Sequence, residues 1–386
     1  MSVNHVNGKR VQFGMIFHYR NVHEVMDGYA DRLGFIGSSL RRLPIDWVKA
    51  GVANIGPFKW FTCDDFVSPA GRTVRGFVVT CPFFPEQILT EGKDRITEKV
   101  INAVRLAERN GAALVGLAGF TSIVSDEGER VSEVVQVPVT TGNTYAAALA
   151  IQGIEKAARL MGVRLEYATA AVIGATGDIG SACSRVLSRR VKRLKLAARN
   201  DKVVAEFGKT LGGSAEVTVN RYVREAIEDA DIVLTATSSL TTLIEADDVR
   251  EGAIICDVAI PYNVASDVVK KRPDVLAFQG GWARLPAPLT SSHQDWMRFC
   301  RDGGREVFGC FAETLLLALD GRFECFSHGR GRIMPEQIEE IWALGTKHGF
   351  DVGGFSYGER RFSDQEVLEI GRNRNARSGN TTNRKV

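Results

Sequence analysis

No apolar run in this 386-residue sequence approaches the ~20 residues needed to span a bilayer, and the polar start MSVNHVNGKR lacks the apolar core of a signal peptide. A cytoplasmic protein without a transmembrane segment is therefore expected. Cysteine is present but unpatterned. The seven residues, an odd number without close spacing and without a C-x-x-C pair, argue against a disulfide framework and against a zinc site. No metal ligand set is expected, and no internal repeat is seen. Acidic residues are absent from 371 to 386, GRNRNARSGNTTNRKV, which carries five basic ones; with +3 overall, the rest of the chain comes to 3 − 5, about −2. The basic character thus belongs to the tail. That tail is poor in apolar residues and is expected to be largely disordered. The nearly balanced remainder points to no nucleic-acid partner. At 44% hydrophobic and 25% charged residues the composition is that of an ordinary globular protein, with about two or three domains.

What is present is a glycine loop in an unusual place. The stretch AVIGATGDIGSACSRVLSRR, residues 171 to 190, has some 170 residues before it and nearly 200 after it. Ala171, Val172 and Ile173 end a buried strand, Gly174 to Gly177 turn, and a helix follows with Ile179, Cys183, Val186 and Leu187 at helical spacing. Glycine lets the backbone approach a pyrophosphate, and the N–H groups that open a helix face its negative charge. Gly174, Thr176, Gly177, Asp178, Ile179 and Gly180 are accordingly the expected phosphate-binding residues. The spacing is G-x-x-G-x-x-G rather than G-x-G-x-x-G. The next strand, LKLAARND, ends on Arg199 and Asn200, where NAD-binding domains carry an acidic residue. A guanidinium there suits a 2′-phosphate, so NADP, as NADPH, is the expected cofactor. Further strands, DADIVLTATSSL, GAIICDVAI and DVLAFQGG, alternate with helical stretches and bring Thr235, Ala236, Thr237, Ser238 and Gly280 to the carboxyl ends of the sheet.

The fold class expected is α/β, with a central, doubly wound Rossmann-type NADP-binding domain over 141–290. An N-terminal α/β substrate domain over 1–140 and C-terminal helices over 291–352 flank it, and the tail 353–386 follows. A helix over 140–162 leads into the loop strand. FGMIFHYR and RTVRGFVVTCPF read as strands, EKVINAVRLAERNG as a helix, AALVGLAGF as a buried strand, and GREVFGCFAETLLLALDG and MPEQIEEIWALGTKHGF as helices. Substrate would lie in the cleft between the nucleotide domain and its flanks.

Among the cysteines, pattern alone reads Cys183 and Cys256 as core and leaves Cys63, Cys81, Cys300 and Cys325 undecided. Cys310 stands on a helix apolar nearly all round, where packing is the ordinary role. Six separated stretches change that: AGFTSIV (118–124), TTGNT (140–144), VIGATGDIGSA (172–182), AARN (197–200), CFAETLLL (310–317) and FSHGRGRI (326–333). In this order they resemble the long-chain acyl-[acyl-carrier-protein] reductases, over roughly residues 13 to 350. The resemblance implies NADPH-dependent reduction of a fatty acyl thioester, on acyl carrier protein or CoA, to an aldehyde used by a downstream enzyme. It implies that Cys310 carries the acyl group.

For the thioester, residues Gly119, Phe120 and Thr121 with Thr141, Gly142 and Asn143 are the expected surroundings. Their donors either hold the developing oxyanion or, for Thr141 and Asn143, cap the helix. His293 and His328 lie close in sequence, and neither is assigned as a base. An acidic carrier would dock on a basic rim, for which SRRVKRLK (188–195), Arg41 with Arg42, and Arg301 with Arg305 are candidates. DVAIPYN (257–263) departs from the family's more glycine-rich turn, and His328 stands in place of an aromatic. A shikimate-dehydrogenase-like enzyme acting on a small hydroxy or amino acid, and a non-catalytic NADP sensor, would share the nucleotide domain without needing the thiol.

Overall fold

A computed structural model describes residues 2–3, 5–6, 9–10, 12–26 and 42–382. In chain order, β1 (Gln12–Phe17), β2 (Arg72–Thr80), α1 (Lys93–Arg109), β3 (Leu114–Leu117) and β4 (Val139–Thr140) precede the long helix α2 (Asn143–Met161). Then come β5 (Thr169–Ile173), α3 (Asp178–Leu187), β6 (Arg193–Ala197), β7 (Glu216–Val219), β8 (Ile232–Thr235), β9 (Ile254–Asp257) and β10 (Leu276–Gln279). The helices α4 (Gly309–Asp320) and α5 (Asp364–Thr382) follow. The fold is α/β, and its contacts divide it into two units. One holds residues 1–142, 285–330 and 344–350, and the other holds 143–284, 331–343 and 351 onward.

In the first unit, β2, β1, β3 and β4 lie side by side in parallel, with Phe58–Thr62 antiparallel to β2. Their residues are apolar in near-continuous runs because both faces are covered, as parallel sheets require. On one face α1 buries Ile96, Val100, Ala103, Val104 and Ala107. The helix α4 packs against β1, β2 and β3, and it comes close because Gly116 has no side chain. A Cβ there would stand 2.2 Å from Thr314 Oγ1 and 2.4 Å from the Met15 sulfur. The helical segment expected from residue 304 starts later. Glu306–Phe308 is a strand paired antiparallel with Cys300–Arg301, and the helix begins at Gly309.

The second unit contains a six-stranded, wholly parallel sheet in the order β7-β6-β5-β8-β9-β10, the doubly wound arrangement. The register sets Ala197, Ile173, Thr235, Asp257 and Gln279 side by side at the carboxyl ends. Each of the expected dinucleotide residues lies at or just past one of these strand ends.

Two boundary expectations are corrected. The segment 291–352 is not a body of its own, because 291–330, with α4, and 344–350 belong to the first unit and 331–343 to the second. The tail expected to be disordered instead forms α5, which packs on α2. Charge counting over 371–386 overlooked what precedes it. Val367 and Ile370 are buried, and a Cβ on Gly371 would lie 2.5 Å from the Met161 Cα, so the two helix backbones meet closely. An isolated helix of this length is marginal in water, and this docking stabilises it.

Candidate active site

At the glycine turn each glycine has a different physical reason. Gly174 has φ +85° and a Cβ there would stand 2.5 Å from the Ala236 carbonyl oxygen. At Gly180 a Cβ would strike the Gly174 carbonyl oxygen at 2.2 Å, so this glycine lets α3 pack against the turn. Gly177 precedes the helix in an extended conformation and donates to the Gly174 carbonyl at 2.9 Å. The N–H groups of Asp178, Ile179 and Gly180 open α3, with Thr176 beside them in the turn, and first-turn amides have no intrahelical acceptor. They suit a pyrophosphate. The Asp178 carboxylate, however, is engaged: Oδ1 accepts from the Gly331 amide at 2.8 Å and Oδ2 from Asn143 Nδ2 at 2.9 Å. Its side chain thus holds the start of α2 and the 331 segment.

Arg199, two residues past β6, is exposed and makes no hydrogen bond or ion pair among the described residues. Asn200, expected to help it, caps the helix Asp201–Lys209 by accepting from the amides of Lys202 and Val203. At the end of β8, Thr235 and Thr237 both donate to Asn263 Oδ1, at 2.9 and 2.7 Å, while Ser238 is exposed. Gly280 is needed for packing. A Cβ there would lie 2.5 Å from the Cys256 sulfur.

In the first unit, Cys310 is the second residue of α4. Five of the seven cysteines are buried, Cys325 is exposed, and Cys310 is half-buried. The N-cap of α4, Phe308, offers no side-chain acceptor. Burial pushes the Cys310 thiol up to about 12, with Glu313 acting in the same direction. The backbone amides of Phe311 and Cys310, at the start of the helix, act against that rise. Burial also raises Cys81 and Cys183 to about 12 and Cys300 to about 11. What sets Cys310 apart is position. Gly142 runs across it with φ +75°, so close that a Cβ on Gly142 would stand 2.1 Å from the Cys310 Cα.

The sequence missed three polar groups, two of them in the unit that holds Cys310. Glu313, wholly buried one turn beyond Cys310, accepts from Thr140 Oγ1 at 2.5 Å and Ser327 Oγ at 2.8 Å. It ties three of the quoted stretches together. His18 has Nδ1 2.8 Å from the Tyr19 carbonyl oxygen, to which it must donate, and Nε2 accepts from the Phe120 amide at 3.1 Å. Burial lowers its pKa, and this bonding fixes the neutral form. Asn263, noted above, is the third.

The donors expected to surround the thioester are largely committed. The Phe120 amide serves His18, the Thr121 and Ser122 amides bond the carbonyls of Ala118 and Gly119, and Thr121 Oγ1 bonds Ala118. The Ser122 hydroxyl donates to Glu127, and the Thr141 amide to the Ser327 carbonyl. Gly119 itself is exposed beside His18 Nε2. The two histidines near in sequence are engaged elsewhere. His328 pairs with Ser132 at 2.8 Å, and His293 Nδ1 accepts from the Asp295 amide. In the 188–195 run, Arg189, Arg190, Arg193 and Lys195 are ion-paired with Glu336, Glu155 and Asp229, so three carboxylates offset part of that candidate rim's five positive charges. Arg41 lies outside the described residues.

The cradle that a Cβ would fill, the parallel strand ends and the free guanidinium fit a nicotinamide dinucleotide carrying a 2′-phosphate. Fold and turn together define an NADP-dependent oxidoreductase. Residues 155–278 match the shikimate / quinate 5-dehydrogenase family. The chain is 30% identical over 293 residues to the long-chain acyl-[acyl-carrier-protein] reductase of Synechococcus elongatus, covering 73% of this chain and 84% of that one. It is 30% identical over 328 residues, 83% of its length, to aminotransferase PigE of a Serratia strain, of which it spans 37%. A glutamyl-tRNA reductase of Actinobacillus succinogenes is 26% identical over 196 residues, 46% of this chain and 44% of that one. The chain belongs to the long-chain acyl-[acyl-carrier-protein] reductase family. It is an NADP-dependent reductase, and its cofactor is NADPH.

Proposed function

We propose that this protein reduces a fatty acyl thioester, carried on acyl carrier protein or CoA, to the aldehyde through an acyl group held on Cys310. The observation that carries the reading is the placement of that one half-buried thiol at an uncapped helix start, under the backbone of Gly142. The Cys310 sulfur attacks the thioester carbonyl, the carbon–sulfur bond to the carrier breaks, and the carrier thiolate leaves with the proton that Cys310 gives up. This exchange is near thermoneutral and frees the bulky carrier while the acyl group stays. The amides of Cys310 and Phe311 hold the charge on sulfur.

Gly174, Gly177 and the first amides of α3 would hold the pyrophosphate of NADPH, and Arg199 its 2′-phosphate; the cofactor would supply a hydride equivalent. Reduction of the Cys310 thioester at its carbonyl carbon, with one proton taken up and the carbon–sulfur bond broken, gives aldehyde and the free Cys310 thiol. The match to the shikimate / quinate dehydrogenase family ends at residue 278, short of Cys310, so it favours no competing use of the thiol. Supplying fatty-acylated acyl carrier protein and NADPH tests the reading. Equimolar aldehyde and NADP are expected, and NADPH oxidation without aldehyde would overturn it.

A further inference from the structure

The glycine turn rests on a wall that the C-terminal segment holds in place. Thr237 stands against that turn: its Cγ2 would lie 3.0 Å from a Cβ on Gly174. Thr237 and Thr235 both donate to the same oxygen of Asn263, a wholly buried side chain whose Nδ2 donates to the Ser239 carbonyl. Asn263 is fixed in turn by Asp257, at the end of β9. The Asp257 carboxylate, also wholly buried, accepts from the amides of Asn263 at 2.9 Å, Val264 at 3.1 Å and Ala259 at 3.0 Å. Its fourth partner comes from 100 residues away. The Tyr357 hydroxyl lies 3.0 Å from Asp257 Oδ2 and 2.7 Å from the Val264 carbonyl, bridging the two ends of the loop.

We propose that Tyr357 is a positioning residue for NADPH, acting through Asp257 and Asn263 on the Thr235–Thr237 wall of the cofactor site. The C-terminal segment is on this view a working part of the dinucleotide site. Buried polar networks are strongly coupled, since each group left without its partner keeps its full desolvation cost. Loss of one hydroxyl at Tyr357 therefore loosens the loop at the point where Asn263 is held.

Tyr357→Phe in the full chain keeps the ring, which packs against Tyr262 at 5.1 Å between centroids. NADPH affinity, measured by calorimetry without thioester, should fall about fivefold to tenfold. A double-mutant cycle supplies the reading that general destabilisation would not move. In a Thr235→Val/Thr237→Val background, which removes the hydroxyls that reach Asn263, Tyr357→Phe should cost NADPH affinity no more than about a factor of two. An undiminished effect in that background, or unchanged affinity in Tyr357→Phe alone, would overturn the proposal. If Tyr357→Phe fails to fold, Thr237→Val alone decides: affinity reduced severalfold supports the wall, and unchanged affinity refutes it. Because no thioester is present, these outcomes stand apart from whether Cys310 carries an acyl group.

Discussion

The glycine turn at 174–180 and the Gly142–Cys310 contact are both places where a missing side chain lets backbone come close, yet they present different groups. At the turn, Gly174 and Gly180 let the turn, Ala236 and the start of α3 close up, and the groups left to meet a ligand are peptide N–H groups. At Gly142, the missing side chain admits the start of α4, and the group presented is the Cys310 thiol. The lesson is that a backbone-built turn leaves a spaced glycine pattern in the sequence, whereas a lone thiol in an apolar helix leaves almost none.

The two regions should fail separately, and each failure is expected to be large. Gly142→Ala places a Cβ inside van der Waals distance of Cys310 and at a φ that alanine rarely adopts. Acylation of Cys310 should slow at least a hundredfold while NADPH affinity, read by calorimetry, stays within twofold. Gly177→Val should do the reverse, weakening NADPH at least a hundredfold, ~3 kcal/mol, while single-turnover acylation continues. If either variant lost both activities in a folded protein, the separation would be wrong.

A smaller effect sharpens the nucleotide side of the comparison. Arg199→Ala should cost NADPH tenfold to a hundredfold, ~1.5 to 3 kcal/mol, and leave NADH nearly unchanged. A retained preference for NADPH in steady-state kinetics would move the 2′-phosphate elsewhere.

The pH dependence sharpens the cysteine side. With the thiol pushed up to about 12, the thiolate fraction rises about tenfold per pH unit through the neutral range. Acylation by acyl-CoA should therefore climb between pH 6.5 and 8.5 without levelling. A plateau near pH 7 would show a thiolate already formed in the free protein.

How much could be read in advance follows the same division. The strand–turn–helix at 171–187 and four of the five sheet strands after it were legible, because local periodicity and glycine spacing carry them; the short strand β7 was not. Cys310 was singled out only through resemblance, since Phe311, Leu315 and Leu316 around it spell a core helix. Glu313, His18 and Asn263 were not legible. Their partners lie far off in the chain, Thr140 and Ser327 for Glu313 and Phe120 for His18, and no local pattern announces such pairs. The C-terminal helix was misread because the charges of 371–386 were weighed without Val367 and Ile370, which precede that segment and are buried. Thr141 and Asn143 illustrate the middle case: their stretch was singled out, but the bonds of Asn143 to Asp178 and of the Thr141 amide to Ser327 needed the fold.

The most direct test of the account is the intact mass of the protein after incubation with a long-chain acyl thioester in the absence of NADPH. The account predicts one added acyl group on the native chain, its discharge as aldehyde when NADPH is supplied, and no stable thioester adduct on Cys310→Ser, which should still bind NADPH. Cys300→Ser and Cys325→Ser should each keep the adduct. An adduct that persists on Cys310→Ser, or aldehyde formed at the native rate by that variant, would contradict it.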